Sequence, residues 1–592
     1  MTIANPIPEN IPAPIPRPDV WCGQVEPGSS ARNIPDGSTP RVAQDLFYEM
    51  SLDEKSSASS MSLGSVVVDY ETIVSLFMHF KNFYYHHCPI LNTNMSVMEL
   101  YNSHRILFWT VVIIASRCHP ELFPLFRKLE SPYQDILARA LLTPVQHIAQ
   151  IQALILLCFW PLPVATQKDD PSWNYCGLLT NAAVRLGLHK SSMAGKTRNF
   201  TTKEDPAIIS KTWIACYILN CSYSWYTGVT LPSRLTPVLT TPPSPSTKTE
   251  SEFFARFPIY RESARAVSIL ENLDDPSDGA AIVQVMCKQL GSLRDEHRDT
   301  WNLEAEILAL GSQLCLFSLQ IENSVTEASS GRKNYAIKDK EYSQSIIANL
   351  AFTTAIRFIH NFSELASSLD TFRDGQATSS GSAVGTDHAG VTVDHSSVCH
   401  THTRYLPKQF LLMLSLAAIM LFKAKAAYPE AIEHNNELGK NHIQIAYDLL
   451  GKWSMEKDDE PSRIQRMIEV FSRAERQHIL NLRDPPQQTE ALWAMPVVKD
   501  AILTAQSLRD KVGILVRNGK TISISEAQPN KNGTELNSGC TSELDNQLGV
   551  EMYMENSFVD WNFPWDLDIP LTAAQCDHDI EPNFTSYVNG LL

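Results

Sequence analysis

Two stretches, "RILFWTVVIIASRC" (Arg105–Cys118) and "PVQHIAQIQALILLCFW" (Pro144–Trp160), are apolar on almost every side of a helical repeat. A helix without a polar face needs neighbours all round it, so both belong at the centre of a large helical body. A third stretch, "DYETIVSLFMHFKNFYYHHCPIL", places Ile73, Leu76, Phe77, Phe80 and Phe83/Tyr84 at helical spacing before Cys88-Pro89. Strand-like alternation bounded by Asn-Gly or Asp-Gly turns is scarce, and an all-α body is expected.

Two further helices start in the same way. Asp170-Pro171 opens "DPSWNYCGLLTNAAVRLGLHK", and Asp205-Pro206 opens "AIISKTWIACYILNCSYSWYTG". Asp accepts from free backbone N–H groups at a helix start, and Pro in the first turn lacks an N–H that would have no partner. Gly187 and Gly228 stand where a left-handed stop is expected. Between Ile208 and Tyr226 the only charge is Lys211, which makes that helix central. More helices fit "GAAIVQVMCKQL", Trp301–Asn323, Tyr342–Leu369, Pro407–Ala427, Asn435–Trp453 and Ser462–Leu480.

The parts outside these helices differ in composition. Residues 1–65 form an arm expected to be disordered, with six prolines in the first eighteen positions. The helical body covers 66–516 and is interrupted at 373–403 by "RDGQATSSGSAVGTDHAGVTVDHSSVCHTHT", a Gly/Ser/Thr-rich insertion expected to be flexible. A polar linker, 517–540, precedes an acidic tail, 541–592. The net charge is −16, and the tail holds ten Asp or Glu and no Lys or Arg, leaving −6 for the rest. The densest basic stretch is "GRKNYAIKDK", which reads equally well as a solvated turn, so no phosphate-neutralising face is evident.

The start lacks a secretory pattern. "FLLMLSLAAIMLF" is thirteen residues long, short of the ~18 a membrane span needs, and reads as a buried helix. The twelve cysteines lack zinc-ligand spacing and fit reduced thiols.

Signals for chemistry are weak. The nucleophile elbow, phosphate loop, dinucleotide fingerprint and His-Glu-x-x-His are absent from the sequence. "DDPSD" offers Asp274, Asp275 and Asp278 as magnesium ligands of a helical enzyme, but Pro276 opposes a continuous helix there. His388, His395, Cys399, His400 and His402 could catch a metal, yet they sit in the low-complexity insertion. His86-His87 are expected to pack at a core edge, and His189 to lie near a helix C-terminus, where a cation is favoured. No catalytic, metal-ligating or cofactor-binding residue is assigned. In the tail, Phe558, Trp561, Phe563, Trp565 and Leu567 alternate with Asp560, Asp566 and Asp568. That is the composition of an activation segment, whose acidic groups keep apolar side chains in water, ready to dock in a partner's groove. The competing expectation is a tail that packs on its own helical body.

"SWNYCGLLTNAAVRLGLHKS" resembles the core signature of the fungal-specific transcription factor domain, the helical regulatory region of zinc-cluster activators. The resemblance rests on Trp173, Ala182, Ala183, Leu186, Gly187, Leu188, His189 and Lys190. "IQALILLCFWPLP" is similar to the preceding signature helix, and "SKTWIACYILNCSYSWYTGVTLPSRL", with Trp213, to the following one. The wording is closest to the subgroup of secreted-protease and weak-acid-response activators, and it covers Asp69–Leu235 well. It implies a large multi-helix regulatory domain, a nuclear place, contact with the transcription machinery or a co-activator, and homo- or heterodimers with DNA-binding members. Target genes of the secreted-protease or secondary-metabolism kind are its expectation.

Two departures stand out. Asn220-Cys221 replace an Asp-Arg pair of the family, so a salt bridge is expected to be missing. Only Cys22 precedes Asp69, so the six-cysteine zinc cluster has no positions here, and DNA contact falls to a domain outside this sequence or to a partner. The rival readings are a magnesium-dependent enzyme at Asp274, Asp275 and Asp278, and a scaffold without activation function.

Overall fold

The computed structural model describes residues 60–164, 169–189, 205–227, 244–273, 279–329, 337–377, 402–456, 458–480, 482, 496–509, 511–512, 514–517 and 520–523. It opens on a hairpin, β1 (Ser60–Leu63) and β2 (Val66–Asp69), paired antiparallel with Leu63 opposite Val66. Gly64 turns it with φ 57°, and a Cβ there would meet Pro132 at 3.3 Å. The Asp69 carboxylate then accepts from Thr72 N–H at 2.8 Å and starts α1 (Tyr70–Phe83). Ile73, Leu76, Phe77 and Phe80 are buried on one face of α1, as their spacing predicts.

After a short α2 (Val97–Ser103) comes α3 (Arg105–Arg117), in which every residue from Leu107 to Ser116 is buried. It packs against α1, α4 (Phe123–Leu142) and α5 (Ile148–Phe159). In α5 all but Gln150 is buried, so both all-round apolar stretches lie at the centre. Each fully buried aliphatic or aromatic side chain in them contributes about 1.5–3 kcal/mol relative to an exposed one. α6 (Ser172–Arg185) and α7 (Pro206–Thr227) pack on α5 and on each other.

The second half continues with α8 (Lys248–Glu271) and α9 (Gly279–Glu296). Two long helices, α10 (Leu303–Ser329) and α11 (Ile337–Ala377), form the most extensive helix pair. α12 (Lys408–Ala427) runs through the middle of this half. The short α13 (Pro429–Ile432), α14 (Asn436–Trp453), α15 (Glu460–Arg476) and α16 (Pro496–Arg509) pack around it. α12 is twenty residues long and apolar enough to cross a membrane by length and composition, which the thirteen-residue count from sequence missed. Its most apolar window is 78% buried among the other helices, and it also touches α5, so it serves as a core helix.

The all-α expectation holds for the body, with three local differences. Residues 60–65, placed in the arm from composition, include β1. Residues 520–523, placed in the linker, form β4 (Lys520–Ser523), antiparallel to β3 (Ile514–Arg517) with Arg517 opposite Lys520. The sequence between them is Asn518-Gly519, the pair that two-residue hairpin loops favour. At the insertion, α11 extends to Ala377, and the described chain resumes at His402 in a 3₁₀ turn, His402–Tyr405.

Candidate functional site

The signature helix α6 begins at Ser172, so Pro171 stands just before the first turn rather than in it, and the expected polar contact and left-handed stop are both present. Asp170 Oδ1 accepts from Ser172 N–H at 2.8 Å, and Asp205 repeats the arrangement with Ala207 N–H at 2.9 Å. At the other end Leu186 N–H donates to the Ala182 carbonyl, and Gly187 takes φ 74°, the left-handed region. Gly228 lies outside the described residues. Leu186 is half-buried and Leu188 buried, while the His189 ring lies 5.8 Å from that of the buried Trp213 on α7. Trp173 is 38% exposed and meets Tyr223 edge-on at 6.1 Å. The signature residues therefore mostly lock α6 onto α7.

Asn220 adds a polar link to that contact. Its Nδ2 donates to Thr180 Oγ1 and to the Cys216 carbonyl, each at 2.7 Å, so a neutral bond joins α6 and α7 here.

Asp170 has a second role that its helix-start position did not reveal. Its Oδ2 accepts from Lys408 Nζ at 2.8 Å, and Lys408 also reaches Glu460 at 2.9 Å. Burial alone would push the Asp170 carboxyl up, but Lys408 and Ser172 hold it below its ordinary range. Burial would likewise lower Lys408, and the two carboxylates raise it instead. The one trace of this in the sequence is a Lys in the first turn of α12, where the helix dipole disfavours a cation.

This ion group borders a cleft of about 580 Å³. One wall comes from the ends of α3 and α5 and the Trp160–Val164 segment. The other comes from the 404–411 stretch, Trp453 and the 455–463 loop and helix start. All six carboxylates on its lining have partners. Glu130 and Glu456 pair with Arg127, Asp170 and Glu460 with Lys408, and Asp458 with Arg466. Asp459 accepts from Met455 N–H, Glu456 N–H, Ser454 Oγ and Ser462 N–H. Arg463 is buried within the field of Glu460 and Asp459.

Two cations differ. Arg117 donates to the Pro161 carbonyl at 2.6 Å, and Arg404 to the carbonyls of Lys452 at 3.2 Å and Ser454 at 3.1 Å. Among the described residues neither has a carboxylate partner. Nothing in the sequence marks either arginine, because the carbonyls they bond lie 44 to 50 positions away.

A second buried ionic group joins the two halves. His87 Nδ1 lies 3.2 Å from Glu304 Oε2, and Arg256 donates to the same oxygen at 2.5 Å and to the His87 carbonyl at 3.0 Å. Potential ligand atoms of His86, His87 and Glu304 fall within 4.8 Å of one another. A metal ion there would have to displace the Arg256 guanidinium, which already supplies the positive charge at Glu304, so the geometry is that of an ionic staple. Burial and the neighbouring His87 push the pKa of His86 down to about 3. The sequence places His86-His87 at a core edge; the Glu304 contact, 217 positions away, is not legible there.

His402, expected from sequence to join a metal-catching cluster, is buried with its ring stacked 5.3 Å from Phe83. His388, His395, Cys399 and His400 lie outside the described residues. So do Asp274, Asp275 and Asp278, Lys190, and the segment Phe558, Trp561, Phe563, Trp565 and Leu567.

Comparison with known proteins bears on the first half. The family described as the fungal specific transcription factor domain matches residues 76–258, from within α1 to within α8. The putative transcription factor SEF1 of Kluyveromyces lactis is 34% identical over 160 residues, 26% of this chain and 14% of that protein. The transcriptional regulatory protein SEF1 of Candida albicans is 30% identical over 191 residues, covering 31% and 20%. The regulatory protein LEU3 of Saccharomyces cerevisiae is 23% identical over 185 residues, covering 28% and 20%. The matched stretch thus spans a fifth or less of each of these relatives. No solved structure matches the chain. With α6 and α7 locked by the signature residues inside the matched region, residues 76–258 of this chain match the fungal specific transcription factor domain.

Proposed function

We propose that this chain is a nuclear regulator of transcription. The observation that carries the reading is the family match over residues 76–258, supported by relatives that bear the names of transcription factors and regulatory proteins. In this reading the helical body is a regulatory domain rather than a catalyst. The segment Phe558–Leu567 contacts the transcription machinery or a co-activator through aromatic groups kept in water by Asp560, Asp566 and Asp568. The composition of the sequence offers no basic face, so DNA is reached through a domain outside this sequence or through a DNA-binding partner.

The test tethers residues 1–592 to a reporter through an unrelated DNA-binding domain. Transcription should rise, and Trp561→Ala with Trp565→Ala should abolish most of the rise. An unchanged reporter, or activation indifferent to both substitutions, refutes the activation role. Metal-dependent turnover of a prenyl diphosphate, lost in Asp275→Ala, would replace the regulator reading with an enzyme.

A further inference from the structure

We infer that the cleft between the family domain and the 404–463 region is a binding site for a small organic anion, read by Arg117 and Arg404. Its volume, about 580 Å³, is that of a small-molecule site. The charge arrangement gives the sign of the ligand. Every carboxylate on the lining is engaged, and Lys408 and Arg127 are held by two carboxylates each. Arg463 is buried, donates to the Asp458 carbonyl and lies in the field of Glu460 and Asp459. Arg117 and Arg404 differ in being half-buried and bonded to backbone carbonyls, which accept hydrogen bonds without neutralising the charge, with no carboxylate partner among the described residues.

A guanidinium has five N–H donors. The bonds above use one on Arg117 and two on Arg404. Donors therefore remain on both, and the planar fork suits carboxylate or phosphate oxygens. The two arginines are tied to one rim: Cys118 Sγ donates to the Arg404 carbonyl at 3.8 Å, and Tyr405 Oη to the Cys118 carbonyl at 3.2 Å. Trp160, Leu406, Trp453 and Met455 supply an apolar wall, which suits a ligand with a hydrocarbon body better than a bare inorganic ion. In a chain of net charge −16 such an anion is not drawn by the overall field, so recognition rests on these two side chains. Because Arg117 lies inside the family domain and Arg404 beyond it, the ligand bridges the two regions. This inference goes beyond the regulator reading and stands apart from it, since binding is measured on the purified chain.

The experiment titrates the full chain with adipate, its neutral counterpart adipamide, and inorganic phosphate. Binding is followed by the shift in melting temperature and by the rate at which iodoacetamide alkylates Cys118, read peptide by peptide in a mass spectrometer. Adipate should raise the melting temperature saturably and slow alkylation of Cys118, and adipamide should do neither. A response to phosphate alone would assign a phosphate ester instead of an organic acid and still support the site. Arg117→Gln and Arg404→Gln should each weaken binding about ten- to a hundredfold, the loss expected for a charge-assisted hydrogen bond. Arg117→Lys and Arg404→Lys, which keep the charge, should lose less, and they keep the test valid if a Gln variant fails to fold. Equal response to adipamide, unweakened Gln variants, or no response to any probe overturns the inference.

Discussion

Replacing Glu304 by Gln keeps the shape of the side chain and removes its charge. The geometry makes the consequence calculable. Arg256 and Glu304 have side chains only 3% and 7% exposed, and the guanidinium sits 2.5 Å from the carboxylate, with the His87 carbonyl as its other partner. In the Glu304→Gln variant that cation stays buried without a counter-charge, a situation that costs about 3–5 kcal/mol. Whole-domain stabilities of about 5–15 kcal/mol make such a loss a large fraction of the total. The internal control is Asp295→Asn, which removes the partner of Arg298 in a pair 3.7 Å apart with both side chains more than three-quarters exposed. Exposed pairs of that kind contribute about 0–1 kcal/mol. Urea unfolding of the full chain, followed by far-UV circular dichroism, should show a large drop in midpoint for Glu304→Gln and almost none for Asp295→Asn. The double replacement Arg256→Met with Glu304→Leu should recover much of the loss, because it removes both buried charges together. A pH arm adds a sign. Burial alone would raise the Glu304 carboxyl; Arg256 and then His87 hold it well below its ordinary value of 4.5. The stabilisation is therefore complete above about pH 4.5 and lost as pH falls below it, because the unfolded chain takes up a proton that the folded one does not. Glu304→Gln should lack this acid loss. If Glu304→Gln shifts the midpoint no more than Asp295→Asn, the staple reasoning is wrong.

Other outcomes follow from the same structure. His86 is held near pKa 3 against an ordinary 6.5, so the unfolded state binds the extra proton between those values. Stability should fall as pH drops from about 6.5 toward 3, with a slope from this group of up to ~1.4 kcal/mol per pH unit, and His86→Gln should flatten it in a pH series of urea midpoints. Gly187→Ala forces a Cβ into φ 74° and should cost about 1–2 kcal/mol by the same assay, without altering far-UV circular dichroism at pH 7. Asn220→Ala leaves the Cys216 carbonyl without that donor and cuts the link to Thr180, so a loss of about 1–3 kcal/mol is expected. A loss indistinguishable from zero would show that the α6–α7 contact rests on packing alone.

How far the sequence carried can be judged from particular elements. The centre was legible because α3 and α5 have no face that water would accept, and periodicity alone then decides their place. Helix starts were legible because Asp170 and Asp205 act on backbone groups two residues away. The sequence pattern does not display α4 and α8. Each carries a proline inside the helix, Pro132 and Pro258, of the kind that normally argues for an interruption. β4 was lost in a polar stretch, although Asn518-Gly519 carried its signal.

The ionic groups show where local reading stops. Asp170 displays its cap in the sequence, yet its partner Lys408 stands 238 positions further on. Glu304 reads as an ordinary first-turn acid of α10 until Arg256 and His87 are placed beside it. Such pairs are set by tertiary packing, and a single sequence holds no record of which charge meets which. The same limit explains why the cleft was invisible. Its character comes from a difference, six carboxylates with partners and two guanidiniums bonded to backbone carbonyls with no carboxylate partner among the described residues, and that difference exists only once segments from 117 to 463 are brought together. Arg117 and Arg404 would read as solvated charges on any helical wheel. Their positions beside Trp160 and Leu406 make them a place where a ligand's charge changes the energy of holding the family domain against the rest of the body. A bound anion would therefore stabilise this one arrangement of the two regions by its own binding free energy, the requirement for a small molecule to control a regulator at all.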